Sequence, residues 1–358
     1  MQNYRFPVFK TKTTGIKRIF KLDDPKERQK YFKAKAGKEI KKIKNYLKKN
    51  TFMGILLGKK NSGKGTYVKL FMEAVGAEHV AHISVGDIVR HAHKEINDPV
   101  KRKGLVKFLK SRYRGFISIE KALDVIEGRD TKTLLPTEII LALVEREIGR
   151  VGRKAIFIDG FPRTQDQISY SIFLRAMMGY RNDPDFLIFI HVPKEVMDQR
   201  IKSRVICPTC QTPRSTRVLR TKEVGYDEKK KEFYLICDNP NCSNPKRMVA
   251  KEGDSLGIEA IRERMEADDK IMRKLFELEG IPKILLRNPV PVNQARKMVD
   301  DYEITPGYRY KWDSKNKKVI GIEEPWIIKD DEGKRSYSLL PAAVAVGLIK
   351  QIAKTLNL

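Results

Sequence analysis

The sequence predicts an α/β fold built on a mainly parallel sheet. Three observations carry that expectation: short apolar runs recur along the chain, helical segments separate them, and the first run leads into a glycine-rich turn ahead of a helix. TFMGILLG, from Thr51, is a short apolar run bounded by glycine, the pattern of a buried parallel strand. KKNSGKGTYVKLFMEAVG then supplies the turn and a helix. AHISVGDIVRHA reads as a second strand leading into another helix, and KAIFIDGFPRT as a third apolar run ending in Asp and Gly. FLIFIHVPKEVMDQRIKSR gives a fourth strand, a turn at Pro193 and a basic helix, which puts Arg200 and Arg204, four apart, on one helix face. The stretch from Glu303 to Ile328 is expected to supply the last core strand together with a β-rich addition. A closing helix is expected to begin near Pro341.

Composition narrows the class. With 358 residues the chain has room for two or three units, at roughly 100 to 200 residues each. A hydrophobic share of 41% excludes wholesale disorder. A formal net charge of +28 argues against an acidic metabolic protein and for anionic partners such as nucleotides, nucleic acid or a membrane surface. Five histidines, none at metalloprotease spacing, exclude much chemistry built on His pairs. The basic start MQNYRFPVFKTK lacks an apolar h-region, and the best apolar run, Leu339 to Ile349, is too short to span a bilayer. The protein is therefore expected to be cytoplasmic, without a transmembrane segment. Residues 1–50 hold 17 Lys+Arg against 4 Asp+Glu and read as a basic N-terminal extension. A helix over residues 25 to 49 has sparse apolar positions, so it is expected to pack lightly on the core. The aromatic residues among its charges leave open a nonspecific contact with RNA, a ribosome or an acidic surface. On that reading a chain beginning near Lys49 keeps its chemistry.

The segment from Gly58 to Thr66, GKKNSGKGT, fits G-x-x-x-x-G-K between a strand and a helix, the context that a phosphate-binding loop requires. Gly58, Gly63 and Gly65 permit the tight turn, which carries Asn61 and Ser62 and aims backbone N–H groups at phosphate oxygens. The following helix N-terminus adds its dipole. Lys64 supplies a mobile charge for β- and γ-phosphates, and Thr66 is the next available hydroxyl for Mg²⁺.

All four cysteines lie in one short window. Cys207 and Cys210 form C-x₂-C, and Cys237 and Cys242 follow as a second pair. Clustered pairs without an export signal point to reduced thiols and a tetrahedral structural Zn²⁺ with no open position.

Residues 58–66 resemble the loop of adenylate kinases and related nucleoside monophosphate kinases, which favours G-K-G-T; Lys60 and Asn61 stand where that family usually has proline and glycine. Three further segments follow in the family's order. SVGDIVR (Ser84–Arg90) resembles S-T-G-D-x-x-R, LLPTE (Leu134–Glu138) resembles L-V-P-D-E, and DGFPRT (Asp159–Thr164) is identical to the family core, with Gln167 three residues on. The resemblance implies a P-loop three-layer α/β/α core with a parallel sheet, an inserted helical acceptor-binding domain and a zinc-knuckle lid. The expected division is 51–83, 137–204 and 254–358 for the core, 84–136 for the acceptor domain and 205–253 for the lid.

The resemblance also implies an enzyme, expected to be monomeric, that transfers the γ-phosphoryl of ATP to a nucleoside monophosphate, with AMP preferred. Arg90 and Arg163 would hold the acceptor phosphate. Asp87 and Asp159 would hold waters around Mg²⁺, and Gln167 would meet the acceptor base. Ser84, Val85, Leu135 and Gly160 would line the nucleotides. Arg200 and Arg204 border the lid, one on the donor adenine and one on phosphate, and Arg264 would face the transferring group. Asp254 stands alone where the family has an acidic pair. Val85 replaces a hydroxyl that touches the acceptor base, a change worth about 1 kcal/mol. A broader or non-AMP acceptor therefore stays open. So does a nucleic-acid- or ribosome-associated ATPase on the same scaffold. The basic insertion from His91 to Gly115 is either an extra helical element over the acceptor site or a separate contact surface.

Overall fold

The computed structural model describes residues 6–15, 18–113, 115–127, 135–162, 167–168 and 183–358. Helix α1 (Pro25–Leu47) starts on Asp24, whose carboxylate accepts from the Glu27 N–H, with proline in its first turn. Strand β1 (Met53–Leu57) follows, buried along its whole length, and the loop after it enters α2 (Lys64–Val75). Next come β2 (Val80–Ser84), α3 (Val85–Ile96), α4 (Pro99–Arg112), α5 (Ile119–Glu127), α6 (Thr137–Val151), β3 (Ala155–Asp159) and β4 (Asp185–His191). Helix α7 (Lys194–Lys202) leads into short antiparallel strands, β5 (Arg204–Ile206), β6 (Pro213–Ser215), β7 (Val224–Asp227), β8 (Glu232–Leu235) and β9 (Val249–Ala250). Helix α8 (Arg262–Glu277) returns the chain to the sheet at β10 (Lys283–Arg287). The remainder is β11 (Pro289–Pro291), α9 (Val292–Met298), β12 (Pro306–Asp313), β13 (Lys318–Pro325), β14 (Ile327–Lys329), β15 (Arg335–Ser338) and α10 (Pro341–Thr355).

The central sheet runs β10-β4-β1-β3-β2 with every pairing parallel. A Cβ at Gly54 would stand 2.9 Å from Ile188 and 3.1 Å from Phe157 and Phe186, so only glycine lets its neighbours close over β1. Two apolar clusters flank the sheet. One gathers α1, α2 and α10 around Phe52, Phe157 and Phe186; the other gathers α3–α6 and α8 around Ile55, Ile158 and Phe189. Successive residues of one strand feed opposite clusters, as the two-residue pleat requires. These are the layers of a three-layer α/β/α core.

Three expectations are corrected here. The last core strand is β10, upstream of the segment expected to supply it. Residues Pro306–Pro325 instead form the separate hairpin β12–β13, while β11, β15 and β14 form a small sheet of their own. Helix α7 ends at Lys202, so Arg200 and Arg204 do not share a helix face. Ser203 caps α7, and its hydroxyl bonds Gln199 O (2.5 Å) and Ser215 Oγ (2.8 Å), which turns the chain into the β5–β6 ladder at Arg204. Finally, α1 is not lightly packed. Tyr31, Phe32, Ala36, Ile40, Ile43 and Leu47 are buried in the first cluster, against α2 and α10.

Candidate functional site

The loop after β1 is shaped by its own residues. Asn61 takes φ 66° and Gly63 takes φ 91°, both left-handed, where asparagine and glycine are the most tolerant residues. Ser62 N–H closes onto Lys59 O at 3.1 Å. Lys59 in turn pairs with Asp269 of α8 at 2.9 Å, which ties the loop to that helix. The Lys64 ammonium donates to Gly58 O (2.6 Å) and Lys59 O (3.1 Å) and lies 3.8 Å from Asp159 Oδ1. Asp159 ends β3 in register with Leu56 and with Ser84, so it sits at the carboxyl edge of three parallel strands, where open α/β sheets take their ligands.

A cavity of about 210 Å³ opens at this edge, and Gly58, Asn61, Lys64, Asp159, Gly160 and Arg264 share its wall. Lys60 lines it too, and burial pushes its ammonium below the usual lysine value, with the charges of Arg264, Lys251 and Arg204 adding to the effect. Converging cations that disfavour one another make a site that an anion would stabilise. Thr66 is exposed on the first turn of α2.

The acceptor-side residues are arranged differently. Ser84 caps α3 by accepting the Asp87 N–H at 3.4 Å, and Asp87 pairs with Arg90 on the exposed first turns of that helix. Val85 is buried in the second apolar cluster, and half-buried Leu135 packs against it. Gln167 is buried, with its amide donating to Thr137 Oγ1 at 3.2 Å. Arg163 and Leu134 lie outside the described residues. Arg200 is half-buried near the end of α7. Arg204 holds Asp254 through two bonds of 2.6 Å, Nε to Oδ2 and Nη2 to Oδ1, so the strand that opens the β5–β9 segment is latched to the segment's end.

Two neighbours of the site escaped the sequence reading. Asp268 lines the cavity, and its signal was spacing, four residues after Arg264 on one helix. His82, on β2, is half-buried beside the loop: a Cβ at Gly65 would stand 3.4 Å from its Cε1, and its buried Nε2 has no hydrogen-bond partner among the described residues. Burial pushes its imidazole down, against the opposing pull of Asp159 and Asp87.

The four cysteines converge from two hairpins. Cys207 and Cys242 sulfurs are 3.8 Å apart, Cys210 and Cys237 3.6 Å, and all four lie within 4.8 Å of one another. Tetrahedral zinc with Zn–S of about 2.3 Å needs sulfurs about 3.8 Å apart, so the donor set fits such an ion. Asn239 Nδ2 bonds Thr212 Oγ1 at 2.7 Å and lies 3.6 Å from Cys210 Sγ, a polar support for the cluster.

The parallel sheet, its loop and the cationic cavity at its edge define a P-loop kinase domain. Residues 57–206 match a family described as an AAA domain. An adenylate kinase of Kosmotoga olearia is 32% identical over 214 residues, covering 59% of this chain and 78% of that protein. One from Mesoplasma florum is 27% identical over 262 residues, 73% of this chain and 92% of its own length. The match to a Thermotoga neapolitana adenylate kinase is 30% over 158 residues, 44% of this chain, and spans 60% of that relative's length. The chain belongs to the adenylate kinase family.

Proposed function

We propose that the chain is an ATP-dependent nucleoside monophosphate kinase that transfers the γ-phosphoryl of ATP in line to AMP, giving two ADP. The observation that carries this reading is the convergence of Lys64, Asp159 and Arg264 on one cavity at the carboxyl edge of β1 and β3. Phosphoryl transfer asks for positive charge and alignment far more than for covalent chemistry, and the cations gathered on this cavity support the first of these. In this reading the backbone of residues 58–66 and Lys64 hold the donor phosphates, and Arg264 faces the group in transit. Arg90 and Arg163 hold the acceptor phosphate, whose planar fork of donors suits phosphate oxygens. Gln167 meets the acceptor base, Arg200 the donor base, and Arg204 a phosphate. Asp87, Asp159 and Thr66 are the groups that would hold the hydrated Mg²⁺, which when bound neutralises charge on the phosphates.

Residues 84–136 serve as the acceptor domain and 205–253 as the lid, with a structural Zn²⁺ on Cys207, Cys210, Cys237 and Cys242. We read the enzyme as a cytoplasmic monomer; no described helix is long and apolar enough to cross a membrane. One observation favours a second reading of the acceptor. Val85 offers no hydroxyl to a base, so selection among bases is relaxed.

Coupled ADP formation with AMP, CMP, UMP, GMP and the deoxynucleotides tests both. Fastest turnover with AMP is expected, and preference for a pyrimidine nucleotide would overturn the AMP assignment. The same assay with RNA added tests the ATPase reading. RNA-stimulated hydrolysis with feeble AMP use would replace the kinase by an RNA-dependent ATPase.

A further inference from the structure

Hairpin β12–β13 stands between the last core strand and the closing helix and lies against hairpin β7–β8. Along β12, Tyr308, Tyr310 and Trp312 alternate with Arg309 and Lys311, so the three rings share one face. That face meets the other hairpin. Trp312 stacks on Tyr226 with centroids 5.0 Å apart and planes 27° apart, and Tyr310 lies 5.6 Å from Phe233. The Arg220 guanidinium sits 4.8 Å over the Tyr308 ring, and the Tyr310 hydroxyl donates to Thr216 O at 2.9 Å. Between the two hairpins lies a cleft of about 420 Å³. Arg220, Lys222, Lys317 and Lys318 line it, against one carboxylate, Glu223. No carboxylate within 4.0 Å pairs with any of these four cations among the described residues. Tyr226, Tyr310 and Trp312 line it too and are only half-buried, so ring surface faces the space. Beyond it, the turn between β7 and β8 carries exposed Lys229, Lys230 and Lys231 beside Glu228 and Glu232, and the turn between β12 and β13 carries exposed Lys315 and Lys317, with exposed Lys318 opening β13.

We propose that this cleft binds single-stranded nucleic acid, with bases against Trp312, Tyr226 and Tyr310 and phosphates on Arg220, Lys222, Lys317 and Lys318. Ring faces accept any base, and a row of cations without carboxylate partners follows a phosphodiester backbone without reading sequence. A duplex keeps its bases stacked on one another and offers the rings nothing. A free nucleotide shares the same chemistry but carries its charge at one end, whereas the cations here extend from the cleft onto both turns. The site is separate from the phosphate loop and needs no part of the kinase assignment.

Fluorescence anisotropy of a labelled ten-residue oligouridylate with the full chain tests this, run with and without saturating ATP and Mg²⁺. Binding is expected in both arms, with log K falling against log salt at a slope of about −3 for four phosphates. From 50 to 200 mM salt that is a loss of about 50-fold. The double variant Lys317→Glu/Lys318→Glu changes only exposed residues where the turn meets β13 and should weaken binding and flatten the slope by at least about 1.4. Trp312→Ala should weaken it by about 5- to 150-fold. Competition by unlabelled duplex should be poor. No binding at 50 mM salt, or binding that both variants leave unchanged, would overturn the proposal. So would displacement by mononucleotide as readily as by oligonucleotide, which would make the cleft a nucleotide site, and so would loss of binding in the ATP arm, which would place the strand on the phosphate loop.

Discussion

Lys64 holds its ammonium between two loop carbonyls, Gly58 O at 2.6 Å and Lys59 O at 3.1 Å, with the Asp159 carboxylate 3.8 Å away. A charge fixed in advance stabilises a developing phosphoryl charge without reorganising at the moment of transfer. Lys64→Ala should therefore lower kcat by about 100- to 1,000-fold. Its circular dichroism and melting temperature should stay near those of the parent, because the side chain packs no core. Turnover within about threefold of the parent, under 1 kcal/mol of barrier, would mean that the loop has another role. Lys64, Asn61 and Asp159 were legible in the sequence because a local pattern fixes each of them: strand, tight turn, helix, strand end. Arg204 was misplaced for the opposite reason. Its position depends on Ser203 reaching Ser215 and on Asp254, fifty residues later, neither of which periodicity can register. His82 was missed because a lone histidine at the end of an apolar run carries no motif.

At the scale of elements, two junctions can be tested. Strands β5, β6 and β9 form a small sheet beside β7–β8, and their apolar cluster consists of Leu235, Met248 and the cysteines, with half-buried Val205 and Val224 against it. So small a core gains much of its order from a crosslink. The purified protein should contain about one zinc per chain, and a strong chelator should abolish turnover while the central sheet keeps its helical signal. Thiol titration separates the cases: four thiols that react freely before chelation, with no metal by elemental analysis, would reject the site. The second junction is Glu95 on α3, which accepts from Arg146 (2.5 Å) and Arg150 (3.1 Å) of α6. Burial tends to raise its carboxyl, but the two arginines outweigh that and hold it below its ordinary value of 4.5. A carboxyl depressed in the folded state stabilises above its unfolded value and loses that contribution as pH falls through the folded one. Between pH 5 and pH 3 the parent should thus lose more thermal stability than Glu95→Gln, which starts lower and has less to lose. Equal acid sensitivity in the two proteins would show that the clamp is electrostatically idle. The C-x₂-C pair and second cysteine pair were readable from spacing. The Glu95 clamp was not, since Arg146 and Arg150 are fifty-one and fifty-five residues away.

For the whole molecule, the open question is whether the basic N-terminal segment is an appendage or part of what folds. Its charge count made it look detachable, and the apolar positions of α1 looked too sparse to anchor it. Yet Tyr31, Phe32, Ile40, Ile43 and Leu47 are all buried. At about 1.5 to 3 kcal/mol for each large apolar side chain, their burial contributes about 8 to 15 kcal/mol, as much as the net stability of a typical domain. A polar cluster adds to this. Lys35, fully buried, donates to Asp300 at 2.6 Å across 265 residues of sequence. Tyr31 and Thr11 each donate to the buried Glu303 carboxylate at 2.5 Å. Beginning the chain near Lys49 would strip Glu303 of Tyr31 and Thr11, and of Lys35 at 3.6 Å, and would uncover the apolar surface that α1 shields. A chain lacking residues 1–48 is therefore expected to be insoluble, or to melt without a cooperative transition, and to show no ADP formation. This reverses the expectation drawn from charge alone. The measurement is a thermal melt followed by circular dichroism, with turnover recorded on the same sample. A cooperative melt within a few degrees of the full chain would refute the argument, because the first apolar cluster would then close without α1. Apart from the buried Lys35, the lysines of α1 are consistent with this role: they occupy the outer face of a helix whose inner face packs on α2 and α10, so the same 23 residues are basic in composition and largely apolar where they touch the core.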